Sequence, residues 1–376
     1  MNKILVILDG VGDLPCRELG NKTPLEAANT PNLDLLAKNG KCGLMYTIRK
    51  DIAPESDEAM FAILGYNPFK YYTGRGILEA YGGGIRFKKG NLILRCNFVR
   101  VKNNKIIDIE AKVKKQILNR LVKELNKIKL TVKHKFIATI GHRCVLILDK
   151  GSDKITNTHP GYNIIKNYVT SAVPVNNIMK IKNCIALSKE SKITAKNINK
   201  FVKESKNIVK NYAVITRGAG NRLPKLKKLK NWILLADMPV EKAIGKLAGM
   251  KIIKKSNNYK KDAKVILKLA KKHNVYVQIK GPGSFGHKNK PLLKKKVIER
   301  IDKEFFSMIK KFKGMIIVSA DHSTPCKFKA HSKDPVPVLI YGKGKDRINK
   351  FSEASCKGGS LGKFNGLELM KIINKV

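Results

Sequence analysis

Acidic residues are scarce in this 376-residue chain: 28 Asp and Glu stand against 77 Lys and Arg, for a formal net charge of +49. Such a surplus points first to a polyanionic partner. The signatures that would make that partner a nucleic acid are missing. There is no basic tail and no RRM, KH, zinc-finger or helix-turn-helix pattern, and lysines run along the whole chain, as in KLKKLK at 225–230 and KKK at 294–296. With abundant Ile and Asn beside them, a general compositional bias is a sufficient cause, and nucleic-acid binding is not expected. The field would still attract phosphorylated metabolites. Long apolar runs are also missing: none reaches the ~18 residues of a membrane span. Met1-Asn2-Lys3 leads straight into ILVIL rather than into a signal peptide, so a cytoplasmic protein with no membrane partner is expected. The seven cysteines (Cys16, Cys42, Cys96, Cys144, Cys184, Cys326, Cys356) are odd in number, scattered and without a CxxC pair, which best fits free thiols in a reduced compartment. Cys326 is read as a small buried hydrophobe rather than a ligand.

Arginine is the rare cation. Twelve of the 77 basic residues are Arg, leaving 77 − 12 = 65 lysines. A chain so biased towards Lys is expected to keep Arg where a planar bidentate donor matters. Arg75 in TGRG, Arg95 in LRCN, Arg143 in GHRC, and Arg217 with Arg222 in TRGAGNR lie beside glycines, small residues or polar residues. Individually each suits a solvated or structural place; as a set they suit a phosphate and carboxylate clamp.

At 376 residues the chain exceeds the usual single-core limit of about 250 to 300, so two domains are expected. Residues 3–8 are apolar without alternation and end in Asp9-Gly10, as in a buried parallel strand whose C-terminal end presents a carboxylate. Similar runs recur at 275–280, 314–321 and 336–342, with helical patterns at 261–273 and 294–312 between them. This alternation predicts an α/β layer with a mostly parallel sheet. The middle differs: glycine turns (TGRG, YGGG) separate hairpin-like pieces (NLILRCNFV, NKIIDIE, FIATI, RCVLIL). It predicts an inserted α+β domain over 67–235, flanked by a discontinuous domain of 1–66 and 236–376.

Chemistry concentrates at three places. Ala320-Asp321-His322-Ser323-Thr324-Pro325 follows an apolar strand, with His331 nine residues past His322 and His287 upstream. Imidazole plus carboxylate suits Zn²⁺ or Mn²⁺, although strand capping and surface histidines would give the same pattern. Asp9 also follows a strand end, where ligands of such sheets collect. Pro54-Glu55-Ser56-Asp57-Glu58-Ala59-Met60 precedes a helical AMFAILGY, which puts Ser56 near backbone N–H groups that favour an anion; the same residues are common helix-start chemistry. Serine is a weak nucleophile towards phosphorus unless a metal activates it.

The order Asp9-Gly10, TPLEAANTPNLD at 23–34, PESDEAM, LGYNP, YTGRGILEAYGGGI, LRCNF, GHR, TRGAG, ADHSTPCKFKAHSKDPVPVLI and FSEASCKGGSLG resembles the archaeal type of 2,3-bisphosphoglycerate-independent phosphoglycerate mutase, in the alkaline phosphatase superfamily. The resemblance runs nearly end to end. It implies a phosphatase-like α/β domain made of both chain ends, an inserted domain, and two divalent ions, most often Mn²⁺, with Mg²⁺, Co²⁺ or Zn²⁺ as alternatives. It implies that Ser56 is the phosphorylated nucleophile, that Asp9, Ser56, Asp321 and His322 hold one ion, and that His287 and His331 hold the other. The reaction implied interconverts 3-phosphoglycerate and 2-phosphoglycerate in glycolysis and gluconeogenesis. The glycerate must stay while its phosphate is parked, so an arginine-rich domain is expected to close over it, with Arg75, Arg95, Arg143, Arg217 and Arg222 as candidates.

The chain departs from the pattern at the second ion. The family carries an Asp four residues before the equivalent of His287; here Gly283 stands at that place, and no Asp or Glu occurs between Asp262 and Glu299. Lys288-Asn289-Lys290 replaces the usual acidic residues after the histidine. Losing a negative ligand should weaken the site, leaving water or Ser284 to complete it, a carboxylate from elsewhere to substitute, or one ion to be lost. Thr156-Asn157-Thr158-His159-Pro160 is also less acidic than the family suggests. The competing readings are a phosphohydrolase or other phosphomutase of the same superfamily, and a degenerate polyanion-binding protein.

Overall fold

The computed structural model describes residues 1–375 except 104, 110, 112, 175–178, 209–210 and 257. Asn104 and Glu110, the ends of the NKIIDIE segment, therefore lie outside the described residues. The chain forms two compact units, Met1–Lys70 with Ser171–Pro174 and Leu226–Val376, and Tyr71–Thr170 with Val175–Lys225. Residues 67–70, 226–235 and 171–174, expected in the insertion, pack with the first unit. The second of these stretches includes a strand of its sheet.

That sheet has eight strands: β1 (Lys3–Leu8), β2 (Gly40–Tyr46), β3 (Trp232–Ala236), β4 (Lys251–Lys254), β5 (Asn274–Ile279), β6 (Met315–Ser319), β7 (Val336–Tyr341) and β8 (Gly362–Asn365), in the order β4-β3-β5-β1-β6-β7-β2-β8. The β4-β3-β5-β1-β6 half is parallel throughout, with Leu5 opposite both Tyr276 and Ile317. Ile4 to Leu8 are fully buried, as expected of an uninterrupted apolar strand in the middle of a parallel sheet. β7 departs from the expected parallel run and pairs antiparallel with β6 and β2. A parallel return needs a crossover, usually helical, whereas residues 320–335 fold as a helix-free loop. That loop carries Asp321, His322 and His331.

Helices at Pro31–Lys38, Pro239–Leu247 and Tyr259–Ala270 pack on the sheet. The last begins before its predicted start because the Asn258 side chain caps it, accepting from Lys261 N at 3.0 Å. The helix predicted over 294–312 is interrupted: an α-helical stretch at Pro291–Ile301 widens into a π turn at Asp302–Phe306. Asp302 on that turn accepts from the backbone N–H groups of Asn32 (3.2 Å) and Leu33 (2.8 Å), the free donors at the start of the helix Pro31–Lys38.

The second unit is built on an antiparallel sheet around the long strand Leu92–Lys102, which pairs with Arg143–Leu148, Lys105–Asp108 and Tyr212–Gly220. Alternation decides its two faces. Leu92, Leu94, Cys96 and Phe98 pack with Phe136, Leu146, Ile198 and Phe201 on one face, the helix Lys192–Ile208 covering it. Ile93, Val145 and Ile147 face the other way, against Ile77 and Ala80 of the helix Arg75–Gly82. The same parity places Arg95, Arg143 and Arg217 on this second face, since Arg217 is opposite Arg95 and Arg143 is opposite Asn97.

Candidate active site

The first unit gathers carboxylates at the C-terminal ends of β1 and β6. Donor atoms of Asp9, Asp321 and His322 all lie within 4.8 Å of one another, close enough to share one cation. The turn after β1 makes this approach possible. Gly10 has φ +59°, and a Cβ there would meet Thr324 Oγ1 at 2.6 Å and Gly283 Cα at 2.7 Å, so only glycine fits. Its N–H donates to Asp321 Oδ1 at 3.0 Å.

The nucleophile candidate enters from a separate helix, Ser56–Ile63, of which Ser56 is the first residue. Its Oγ is 3.1 Å from His322 Nε2, and the helix's leading N–H groups give that end the partial positive charge that favours a phosphoryl oxygen.

His287 and His331 are held in one tautomer. His331 Nδ1 lies 2.8 Å from Pro54 O and His287 Nδ1 lies 3.0 Å from Lys329 O. A carbonyl can only accept, so both Nδ1 atoms carry hydrogen and both Nε2 lone pairs remain for a cation. The His331 ring stacks on His322 with centroids 3.5 Å apart and lies 5.1 Å from His287. Burial, and after it the His322 charge, pushes the His331 pKa well down, which keeps it in the neutral form a metal needs. The sequence-predicted ligands of both ions thus fall at one end of the sheet.

Three further residues of the site gave no signal in the sequence. Lys280 Nζ lies 2.5 Å from Asp9 Oδ2 and 2.9 Å from Glu241 Oε1. Although burial works against its charge, the Asp9 and Glu241 carboxylates hold the Lys280 pKa high, while burial opposed by Lys280 leaves Asp9 well below the usual carboxylate range. Gln278, fully buried on β5, donates to Asp9 Oδ2 at 2.9 Å and Asp321 Oδ2 at 2.8 Å, fixing both carboxylates. A second cluster, Asp13 with Cys16 and Cys326, already has its cation: buried Lys294 donates to Asp13 Oδ2 (2.8 Å), Gly12 O (3.0 Å) and Thr324 O (3.0 Å). Cys326 is buried, and its Sγ lies 3.2 Å from Asp13 Oδ2.

The second unit gathers the opposite charge. Four arginines surround one buried carboxylate: Arg75 Nε is 3.8 Å and Arg143 Nη1 4.0 Å from Glu79, and the charges of Arg95 and Arg217 act on it as well. Burial raises the Glu79 pKa, but the four guanidinium groups, Arg95 foremost, hold it below the usual value. Burial and then Arg143 press on the Arg95 guanidinium in the opposite sense, lowering its pKa. Its Nε and Nη1 are buried without a hydrogen-bond partner among the described residues. A buried guanidinium with open donors, as at Arg95, is a site for a carboxylate or phosphate. Arg222 is placed differently: it is exposed, and its charge acts on Tyr168. His159 is buried against Tyr162, over whose ring the Arg217 guanidinium lies at 4.1 Å.

A sequence model of 2,3-bisphosphoglycerate-independent phosphoglycerate mutase matches residues 37–214. Enzymes of that name from Methanobrevibacter smithii and Methanocaldococcus jannaschii are each 33% identical to the chain, covering 99% and 98% of it and 97% and 96% of their own lengths. Among solved structures, a protein from Pyrococcus horikoshii superposes with TM-score 0.76 at 27% identity, covering 99% of this chain and 96% of its own. A cofactor-independent phosphoglycerate mutase from Thermoplasma acidophilum superposes with TM-score 0.60 at 25% identity, covering 99% of this chain and 98% of its own. No helix among the described residues is long and apolar enough to cross a membrane. With agreement of this length in both sequence and architecture, the chain belongs to the 2,3-bisphosphoglycerate-independent phosphoglycerate mutase family.

Proposed function

We infer that this protein interconverts 3-phosphoglycerate and 2-phosphoglycerate by way of a phosphoserine at Ser56. The observation that carries this reading is the Ser56 hydroxyl, at a helix N-terminus and 3.1 Å from His322 Nε2, beside the Asp9–Asp321–His322 cluster. The donor set fits a divalent ion, with Asp9, Ser56, Asp321 and His322 as its holders, and Mn²⁺ is the ion we propose because mixed imidazole and carboxylate donors suit it. Bound there, such ions would lower the pKa of the Ser56 hydroxyl and offset the charge of the phosphoryl oxygens.

The chain's own residues do the rest. Ser56 Oγ loses its proton and attacks phosphorus as the bond to the glycerate oxygen breaks and that oxygen gains a proton; the neighbouring hydroxyl then loses its proton and takes the phosphoryl group back as the Ser56 Oγ–phosphorus bond breaks and Ser56 is reprotonated. Lys280 offers a fixed positive charge beside Asp9, and the helix N–H groups favour the phosphate. We assign Arg75, Arg95, Arg143 and Arg217 to binding of the anionic substrate, with Arg222 outside their cluster. Retention of the glycerate separates a mutase from a phosphohydrolase.

The test uses metal-stripped protein incubated with 3-phosphoglycerate, Mn²⁺ being added back and the products separated after quenching. A metal-dependent approach to a mixture of the two phosphoglycerates is expected. Release of inorganic phosphate without 2-phosphoglycerate would replace the mutase reading with a phosphohydrolase.

A further inference from the structure

Three neighbouring strands of the first sheet, β3, β5 and β1, run into charged residues: Asp237 follows Ala236, Lys280 follows Ile279 and Asp9 follows Leu8. The ammonium after the middle strand is shared by two carboxylates. Lys280 Nζ lies 2.5 Å from Asp9 Oδ2 and 2.9 Å from Oε1 of Glu241, in the first turn of the helix Pro239–Leu247. Asp237 has a lysine of its own, with Lys255 Nζ 3.9 Å from its Oδ2.

The two carboxylates that share Lys280 are not equivalent. Glu241 is 2% exposed, and its Oε2 is buried with no hydrogen-bond partner among the described residues. A buried carboxylate of that kind is costly unless a cation stays beside it. Burial raises the Glu241 pKa, and Lys280 opposes the rise. Asp9, in contrast, has a second claim on it. Its donor atoms lie within 4.8 Å of those of Asp321 and His322, and its Oδ2 already accepts from Gln278 at 2.9 Å. A divalent ion arriving at Asp9 would meet the Lys280 ammonium on the same carboxylate, and two cations that close repel.

We propose that Glu241 is a positioning residue for the metal site: it keeps the Lys280 ammonium when a divalent ion takes Asp9, so that Lys280 stays charged beside the site without competing for that carboxylate. This rests on the reading of Asp9 as an ion ligand and adds where the cation already on Asp9 goes. Glu241 acts through Lys280. Its effect on the ion therefore vanishes when Lys280 is gone.

The test follows Mn²⁺ affinity rather than turnover. Metal-stripped wild type, Glu241→Gln, Lys280→Met and the double variant are titrated with Mn²⁺, and free ion is read by electron paramagnetic resonance. Glu241→Gln should bind about tenfold more weakly than wild type, because Lys280 is left to Asp9 alone. Lys280→Met should bind about tenfold more tightly, and the double variant should match it. An unchanged affinity in Glu241→Gln would overturn the proposal. So would a double variant falling as far below Lys280→Met as Glu241→Gln falls below wild type, the result expected of a carboxylate that merely supports the fold or attracts the ion directly. Lys280→Met strands a buried carboxylate and could fail to fold, whereas the double variant carries neither charge. It then decides alone: binding tighter than wild type is expected, and binding no tighter than wild type counts against the proposal. Absence of Mn²⁺ binding in the wild type would instead remove the ion reading itself, so the two failures are distinguishable.

Discussion

The two units solve opposite electrostatic problems within one strongly basic chain. The first draws carboxylates together at parallel strand ends, where Asp9, Asp321 and Glu241 have Lys280 as their fixed cation. The second draws four arginines around Glu79 on one face of an antiparallel sheet. One site gathers carboxylates and the other guanidinium groups, and each suits what we propose that it receives: divalent ions in the first, an anionic substrate in the second. The sheets make this difference. A parallel strand end exposes its last residue to a loop, so one carboxylate per strand converges, whereas antiparallel pairing places Arg217 directly across from Arg95 in the middle of a strand.

Substitutions that act on one site and spare the other sharpen that contrast. Ser56→Ala should have the largest effect, lowering kcat by at least about 10⁴-fold without changing the affinity of the arginine unit for substrate analogues. Steady-state kinetics and equilibrium binding of a non-reacting phosphoglycerate analogue check the two halves of that statement.

Glu79→Gln should act on stability. Removing the shared anion from four arginines is expected to cost about 3–5 kcal/mol at pH 7, measured by urea unfolding. Glu79 titrates below its ordinary value in the folded protein, so its contribution is complete above the unfolded carboxylate pKa and is lost as pH falls through the folded one. The gap between wild type and variant should therefore narrow on acidification. A constant gap would mean that the loss comes from packing.

Arg95→Ala should raise KM for 3-phosphoglycerate roughly tenfold to a hundredfold, the loss of one or two charged hydrogen bonds, while Mn²⁺ binding stays as in the wild type. A matching loss of metal would break the division of labour between the units. Gln278→Leu reverses the pattern. Without the amide that holds Asp9 and Asp321, Mn²⁺ affinity should fall about tenfold in an ion titration, and affinity for the substrate analogue should hold.

Much of this contrast was legible in the amino-acid order. Asp9 and Asp321-His322 were readable because each ends an apolar run, and the arginines because there are only twelve of them. Lys280 was not readable, since one lysine among 65 carries no information until the strand end places it on Asp9. Gln278 was hidden for a different reason: it lies inside the apolar run VYVQIK, where a single amide gives no hint of bonding two carboxylates 269 and 43 residues away. The antiparallel course of β7 was missed because direction depends on the connection, and the loop at 320–335 has a motif's composition rather than a crossover's. Arg222 matched its fellows in sequence context, but the main cluster forms around Glu79 without placing it there.

The most direct test of the phosphoserine account is to mix Mn²⁺-loaded protein with 3-phosphoglycerate, quench in acid within the first turnovers, and map phosphate on the peptides by mass spectrometry. Phosphate on Ser56, absent without metal and absent from Ser56→Ala, is the predicted result. Full conversion to 2-phosphoglycerate by Ser56→Ala, or phosphate trapped on a different residue, would contradict it.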